Sequence, residues 1–271
     1  MNQISILGCG WLGLPLAKAL LENGFSVKGS TTSIEKLSVI KNSGIQPFFI
    51  SLSEDKTIGN LSGFLENSKI LIIDVPPKLR SSEKENFVSK IKNVIPFIEK
   101  SSVENVLFIS STSVYGEDNS IVTEETELNP DNESGKQLVQ AEQILQNNPN
   151  FKTTILRFGG LIDEDRHPVK FLTGRKNLDN PKSYINLIHQ KDCIGIILGI
   201  LCHTEPAEVW NETFNAAAPF HPSREEYYIK KALDLDLALP EFNYENPTFG
   251  KTILSDKVER VLGYTFAKPN L

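Results

Sequence analysis

The sequence predicts an α/β protein built on a doubly wound parallel sheet, with a small C-terminal lobe beside it. Three observations point there. Short apolar runs alternate with stretches of helical periodicity from the first residues to Phe158. Gly8, Gly10 and Gly13 fall where the first apolar run gives way to the first helical one. Beyond Phe158 the alternation loosens into a segment rich in charge, glycine and proline. Strands alternating with helices need crossover connections, which are right-handed and cover both faces of a parallel sheet.

The chain has 271 residues, 39% hydrophobic and 23% charged, enough for one large domain or a domain with a smaller lobe. A net charge of -6 with no basic block argues against a nucleic-acid partner. Cys9, Cys193 and Cys202 are scattered without metal-ligand spacing, so no metal site is expected and reduced thiols in a cytoplasmic protein are. The apolar run 194–201 is too short to cross a bilayer, and no charged segment precedes a hydrophobic stretch at the start. A cytoplasmic monomer or homodimer acting on a small molecule, with no membrane partner, is therefore the expectation.

Taken in order, Ile4, Ile6 and Leu7 suit a buried parallel strand, and residues 12–21 carry apolar positions at helical spacing. Gly24 is a helix stop, and 25–29 reads as the second strand. Ser33 is placed to cap a helix running to Asn42, with Glu35 and Lys36 in its first turn. Residues 45–52 form a third strand, a short polar helical stretch follows, and 70–73 is a fourth strand. Phe87, Ile91, Val94, Ile95 and Ile98 line one side of a helix over 87–99. Residues 103–110 and 153–158 are the fifth and sixth strands, flanking a helix that contains 138–145. Short returning strands are expected at 184–188 and 212–215, around a buried helix at 194–201, and helical pieces at 225–233 and 255–262. The sheet domain then comprises 1–158, completed by about 184–217, with the lobe built from 159–183 and 218–271.

In this context Gly8, Cys9, Gly10, Trp11, Leu12 and Gly13 form a candidate diphosphate turn of the G-x-G-x-x-G kind. Gly8 permits the tight turn, Gly10 lets a pyrophosphate approach the backbone, and Gly13 lets helix and strand pack closely. Free amides and the positive helix end face the phosphates. At the end of the second strand an Asp or Glu would bind both ribose hydroxyls. Ser30, Thr31 and Thr32 stand there instead, with Lys36 the nearby cation. Hydroxyls can donate to a 2′-phosphate, so NADP is favoured with NAD possible; the same residues can also simply cap the following helix.

Further along, Ser110-Ser-Thr-Ser-Val-Tyr-Gly116 resembles the S-S-x-x-V-Y-G segment of the extended short-chain dehydrogenases/reductases, the NAD-dependent epimerase/dehydratase group. Thr123-Glu-Glu-Thr-Glu-Leu-Asn-Pro130 resembles the loop before that group's active-site helix, Leu156-Arg-Phe-Gly-Gly160 its strand into the substrate lobe, and Asn186-Leu-Ile-His-Gln-Lys-Asp192 its I-H-V-x-D segment. The resemblance spans nearly the whole length. It implies a Rossmann fold, hydride-transfer chemistry, and Val75 and Pro76 running along the nicotinamide-side ribose. It also implies Ser111 at the position of the hydroxyl that orients substrate, where a serine can equally turn the backbone.

One part of the family pattern is missing. Members use a Y-x-x-x-K pair, the lysine lowering a tyrosine pKa that is otherwise about 10. Aligned on Gly135 and Glu142, this chain has Ser134 and Leu138 at those positions. Tyr115 is close enough in sequence to serve as a substitute donor, although the family's tyrosine there is usually structural. Thr112 and Ser113 stand where sugar dehydratases carry an acid pair, which disfavours dehydration. Arg157 and Arg166 can bind an anionic substrate or neutralise Asp163, Glu164 and Asp165, and His189 and Asp192 read as hydrogen-bonding residues at the lobe junction. The expected function is that of an epimerase- or reductase-like protein with a non-standard site; the other reading is a non-catalytic NADP(H)-sensing regulator or scaffold.

Overall fold

The computed structural model describes residues 3–77, 85–118, 120–245 and 248–271. The first half runs β1 (Gln3–Leu7), α1 (Gly13–Glu22), β2 (Ser26–Thr31), α2 (Lys36–Asn42), β3 (Gln46–Leu52), β4 (Thr57–Gly59), α3 (Leu61–Leu65), β5 (Ser68–Ile73) and α4 (Phe87–Glu99). The chain continues through β6 (Asn105–Ser111), β7 (Ile121–Val122), α5 (Glu133–Gln146), β8 (Lys152–Phe158), β9 (Gly160–Ile162), α6 (Val169–Leu172), β10 (Leu187–His189) and α7 (Gln190–Leu201). It closes with β11 (Thr213–Ala216), α8 (Arg224–Asp234), β12 (Thr252–Ile253) and α9 (Asp256–Leu262).

The main sheet has the order β11-β8-β6-β5-β1-β2-β3-β4. All its pairings are parallel except β3 with β4. This is the doubly wound Rossmann arrangement. Buried strands with both faces covered explain their unbroken apolar runs, such as Leu71, Ile72 and Ile73. On one face Leu16, Ala17 and Leu20 of α1 pack with Ile196, Ile197 and Ile200 of α7 against Ile4 and Ile6. On the other, Ile91, Val94 and Ile98 of α4 meet Leu138, Ala141 and Leu145 of α5 over Leu7, Leu71 and Phe108. The strand order reverses between β1 and β5, and ligands of such sheets sit in the crevice at the carboxyl ends there.

Several expected elements move. The segment read as a polar helix splits into the antiparallel strand β4 and the short helix α3, capped by the Asn60 side chain on the Gly63 amide. The helix expected to be capped by Ser33 starts at Lys36, and the Ser33 hydroxyl donates to the Glu35 carboxylate rather than capping. The strand expected at 184–188 is β10, which pairs outside the main sheet with β9, whereas β11 joins the sheet edge beside β8. Ile162, Val169, Ile185, Leu187, Tyr227, Tyr228 and Ala232 make a third apolar cluster, which is the core of the lobe. Among the described residues no helix is long and apolar enough to cross a membrane.

Candidate cofactor and substrate site

The glycine turn follows directly from β1. Gly8 adopts φ +113°, and a Cβ there would lie 2.2 Å from the Asp74 carbonyl oxygen. A Cβ on Gly13 would lie 2.1 Å from the Gly8 carbonyl oxygen. Those two glycines are demanded by the fold itself. Gly10 is different: nothing lies within 4 Å of where its Cβ would be. The gap over Gly10 is space that the polypeptide leaves open, at the start of α1. Neither the Trp11 nor the Leu12 amide finds an acceptor among the described residues. A diphosphate fits this cradle of open backbone and positive helix end.

The surrounding residues hold the turn from three sides. The Gly8 amide donates to the Ser30 hydroxyl at 3.0 Å and the Cys9 amide to the Ser30 carbonyl at 2.7 Å. The Cys9 thiol is buried against the sheet, and burial pushes its pKa up to about 12, so it packs rather than reacts. Trp11 is fastened to the lobe loop: its indole donates to Asp163 at 2.7 Å, its carbonyl accepts from Gln190 at 2.8 Å, and the Arg166 guanidinium lies 4.8 Å from its ring. Asp74, just after β5, accepts the Gly13 amide, yet burial lifts its carboxyl to about 7. Val75 and Pro76 continue this wall beyond β5.

At the end of β2 the three hydroxyls separate. Ser30 is buried and committed to Gly8. Thr31 is buried and accepts the Ser33 amide at 3.1 Å. Thr32 alone of the three is exposed. The Glu35 carboxylate, held below its usual range by the Ser33 hydroxyl, stands close by in sequence at the start of α2.

A second concavity, a cleft of about 420 Å³, opens at the end of β6. Ser111, Thr112 and Ser113 line its sheet side; Ser183, Tyr184, Arg224 and Tyr228 line its lobe side. The Ser111 hydroxyl accepts the Ser113 amide at 3.2 Å, which starts a single 3-10 turn and leaves the hydroxyl proton free to donate. Lys251 enters from the C-terminal segment, donating to the Tyr115 carbonyl at 2.8 Å and pairing with Glu117 at 2.9 Å.

Tyr115 faces the other way. It is 2% exposed; its hydroxyl donates to Asn215 at 2.9 Å and accepts from Arg157 at 2.6 Å. Burial raises its pKa, the wrong direction for a base. Arg157 is neither an anion site nor a partner of the 163–165 acids. Instead it forms a buried fork with Glu142 of α5 at 2.7 Å, and Ser110 also donates to that carboxylate. His189 caps α7 through the Lys191 amide, and Asp192 accepts from Tyr264, Ala267 and Lys268.

A family model described as NAD(P)H-binding matches residues 8–186, beginning at the first glycine of the turn. The chain belongs to the NAD(P)H-binding family. It is similar to Protein YeeZ of Escherichia coli strain K12, 30% identical over 100% of this chain and 97% of that protein. It is 22% identical to the UDP-glucose 4-epimerase of Dictyostelium discoideum over 58% of this chain and 54% of that protein. The UDP-glucuronic acid 4-epimerase from Bacillus cereus, solved with UDP-glucuronic acid and NAD, shares the fold. Its TM-score is 0.79 at 18% identity, covering 98% of this chain and 94% of that one.

Within this NAD(P)H-binding protein, α5 carries Ser134 and Leu138 where the resemblance implies a tyrosine and a lysine. Leu138 is buried in the core and Ser134 sits in the first turn of α5, whose N-terminus is capped by the Asn132 side chain. No residue of α5 lines the cleft among the described residues. Arg224, Lys251 and the Asp163–Trp11 link were not singled out by sequence, because each depends on a contact between segments far apart in the chain.

Proposed function

We propose that the protein is an NAD(P)-dependent epimerase or reductase acting on a small, sugar-like substrate, with Ser111 as the hydroxyl that touches it. The observation behind this reading is a juxtaposition at the carboxyl end of one sheet. The gap over Gly10 follows β1, and the cleft floored by Ser111 follows β6. Strand β5, which ends at Ile73 just before Asp74, lies between them.

In this reading the glycine turn and α1 hold the diphosphate. Val75 and Pro76 flank the nicotinamide half, whose chemistry when bound is hydride transfer. The Ser111 hydroxyl, oriented by the Ser113 amide, donates to a substrate oxygen in the cleft. The lobe side excludes water from that oxygen. Tyr115 and its buried network keep β6, β8 and α5 in register beneath. The open hydroxyl of Thr32 and nearby Lys36 favour NADP over NAD, and Glu35 keeps the preference small.

Cofactor absorbance followed across a panel of carbonyl compounds, alcohols and nucleotide sugars tests the reading. The expected result is turnover of some member that is lost in Ser111→Ala. Cofactor bound but never consumed, together with a partner protein whose affinity tracks the NADPH/NADP ratio, would instead support a non-catalytic sensor. The absence of α5 from the cleft is the observation that keeps this second reading in play.

A further inference from the structure

We propose that the cleft takes a substrate bearing a carboxylate or phosphate group, gripped by the guanidinium of Arg224; this rests on reading the cleft as the substrate site. Three charged residues line the cleft among the described ones: Glu117, Arg224 and Lys251. Lys251 is answered by Glu117 at 2.9 Å and by the Tyr115 carbonyl. Arg224 has no carboxylate partner among the described residues, and its Nε is shielded from water without any hydrogen-bond acceptor. A buried guanidinium N–H without an acceptor is a standing cost unless something else supplies one.

The acids nearest in sequence are turned to other work. The Glu225 carboxylate accepts from the Tyr244 hydroxyl, and that of Glu226 accepts from the Ser223 amide and hydroxyl in a capping box. That box fixes the first turn of α8, and the Arg224 amide is tied to the Ser183 carbonyl at 2.8 Å. The side chain lies with its guanidinium carbon 5.8 Å from the Tyr228 ring. Its backbone is therefore anchored while its Nε has no acceptor among the described residues.

A planar fork of N–H donors matches the paired oxygens of a carboxylate or phosphate. The cleft lining contains none of the glycine turn, so this anion is not the cofactor's diphosphate. Arg224 on the lobe side and Ser111 on the sheet side would hold opposite ends of one small molecule, the anion in the lobe and the reacting carbon over β6.

Calorimetric titration of the NADPH-loaded protein with glucuronic acid, glucose 1-phosphate and the uncharged methyl glucoside tests the proposal. At least one anion should bind more tightly than the neutral glycoside, and the stronger of the two identifies the group. Arg224→Gln should weaken that anion by about 10- to 100-fold and leave the glycoside unchanged. Arg224→Lys, which keeps the charge but not the fork, should fall between. If neither anion outbinds the glycoside, or if either variant retains full anion affinity, the proposal is overturned. A thermal melt confirms that each variant is folded. NADPH affinity, measured separately, should not change in either; anion binding by a protein that takes no NADPH would end the dehydrogenase reading while leaving the Arg224 site standing.

Discussion

The Ser30 hydroxyl accepts the Gly8 amide at 3.0 Å, so the end of β2 holds the first glycine of the turn in place. A residue that sequence alone offers to a 2′-phosphate is thereby occupied in shaping the diphosphate cradle. Removing it should loosen the turn without changing which cofactor is preferred. Ser30→Ala is expected to cost about 1 kcal/mol of stability and to weaken NADPH and NADH alike. Thr32→Asp, by contrast, places an acid at an exposed position and should turn the ratio toward NADH by roughly tenfold or more. Dissociation constants for both cofactors decide this; a changed ratio in Ser30→Ala would show that Ser30 contacts the phosphate.

Asp74 gives the turn a pH dependence. Burial lifts its folded pKa to about 7, above the usual carboxylate range, so the folded state holds the proton that the unfolded chain gives up. Stability contributed by this group is therefore full below the unfolded value and falls as pH rises toward 7. Asp74→Asn keeps an acceptor for the Gly13 amide without the charge. At pH 8 the variant should melt higher by roughly 2–4 °C, a gain of about 1 kcal/mol, with little difference at pH 4. The parent should also bind NADPH more weakly as pH rises through 7, and the variant should flatten that slope. Equal melting shifts at both pH values would contradict the assignment.

The Glu142–Arg157 fork ties α5 to β8 beneath the cleft. Glu142→Gln leaves a buried guanidinium without its counter-charge and should destabilise by about 3–5 kcal/mol. Tyr115→Phe keeps the ring beside Arg157 and loses only the hydroxyl, for about 1–2 kcal/mol. Urea denaturation reads both. NADPH affinity should be unchanged in Tyr115→Phe, and so should any turnover found for the parent; lost turnover in a folded variant would restore Tyr115 as a proton donor.

Much of this architecture is legible in the chain because burial writes itself as periodicity. Helix α4 runs over Phe87–Glu99, as its apolar spacing predicts, and the ends of the main-sheet strands that the sequence predicts fall within about two residues of the expected places. The glycine turn is legible because a strand and a helix bracket it. Legibility fails where pairing is non-local. Nothing in Leu187–His189 says that it pairs with Gly160–Ile162 rather than joining the main sheet. β4 is a three-residue edge strand, too short for alternation to show. Arg157 reads as an anion binder or a partner of the 163–165 acids until α5 brings Glu142 against it, and nothing in the sequence singles out Arg224 until the lobe folds it over the cleft.

The central claim is that a dinucleotide's diphosphate occupies the gap over Gly10. Because nothing lies within 4 Å of a Cβ there, Gly10→Val should fold and melt like the parent while filling the cradle. Titration calorimetry of NADPH and NADH into both proteins is the direct measurement. The account predicts saturable binding to the parent and a loss of at least about 100-fold in Gly10→Val, a penalty of about 2.7 kcal/mol. Unchanged affinity in the folded variant, or no binding of either cofactor to the parent, would contradict it.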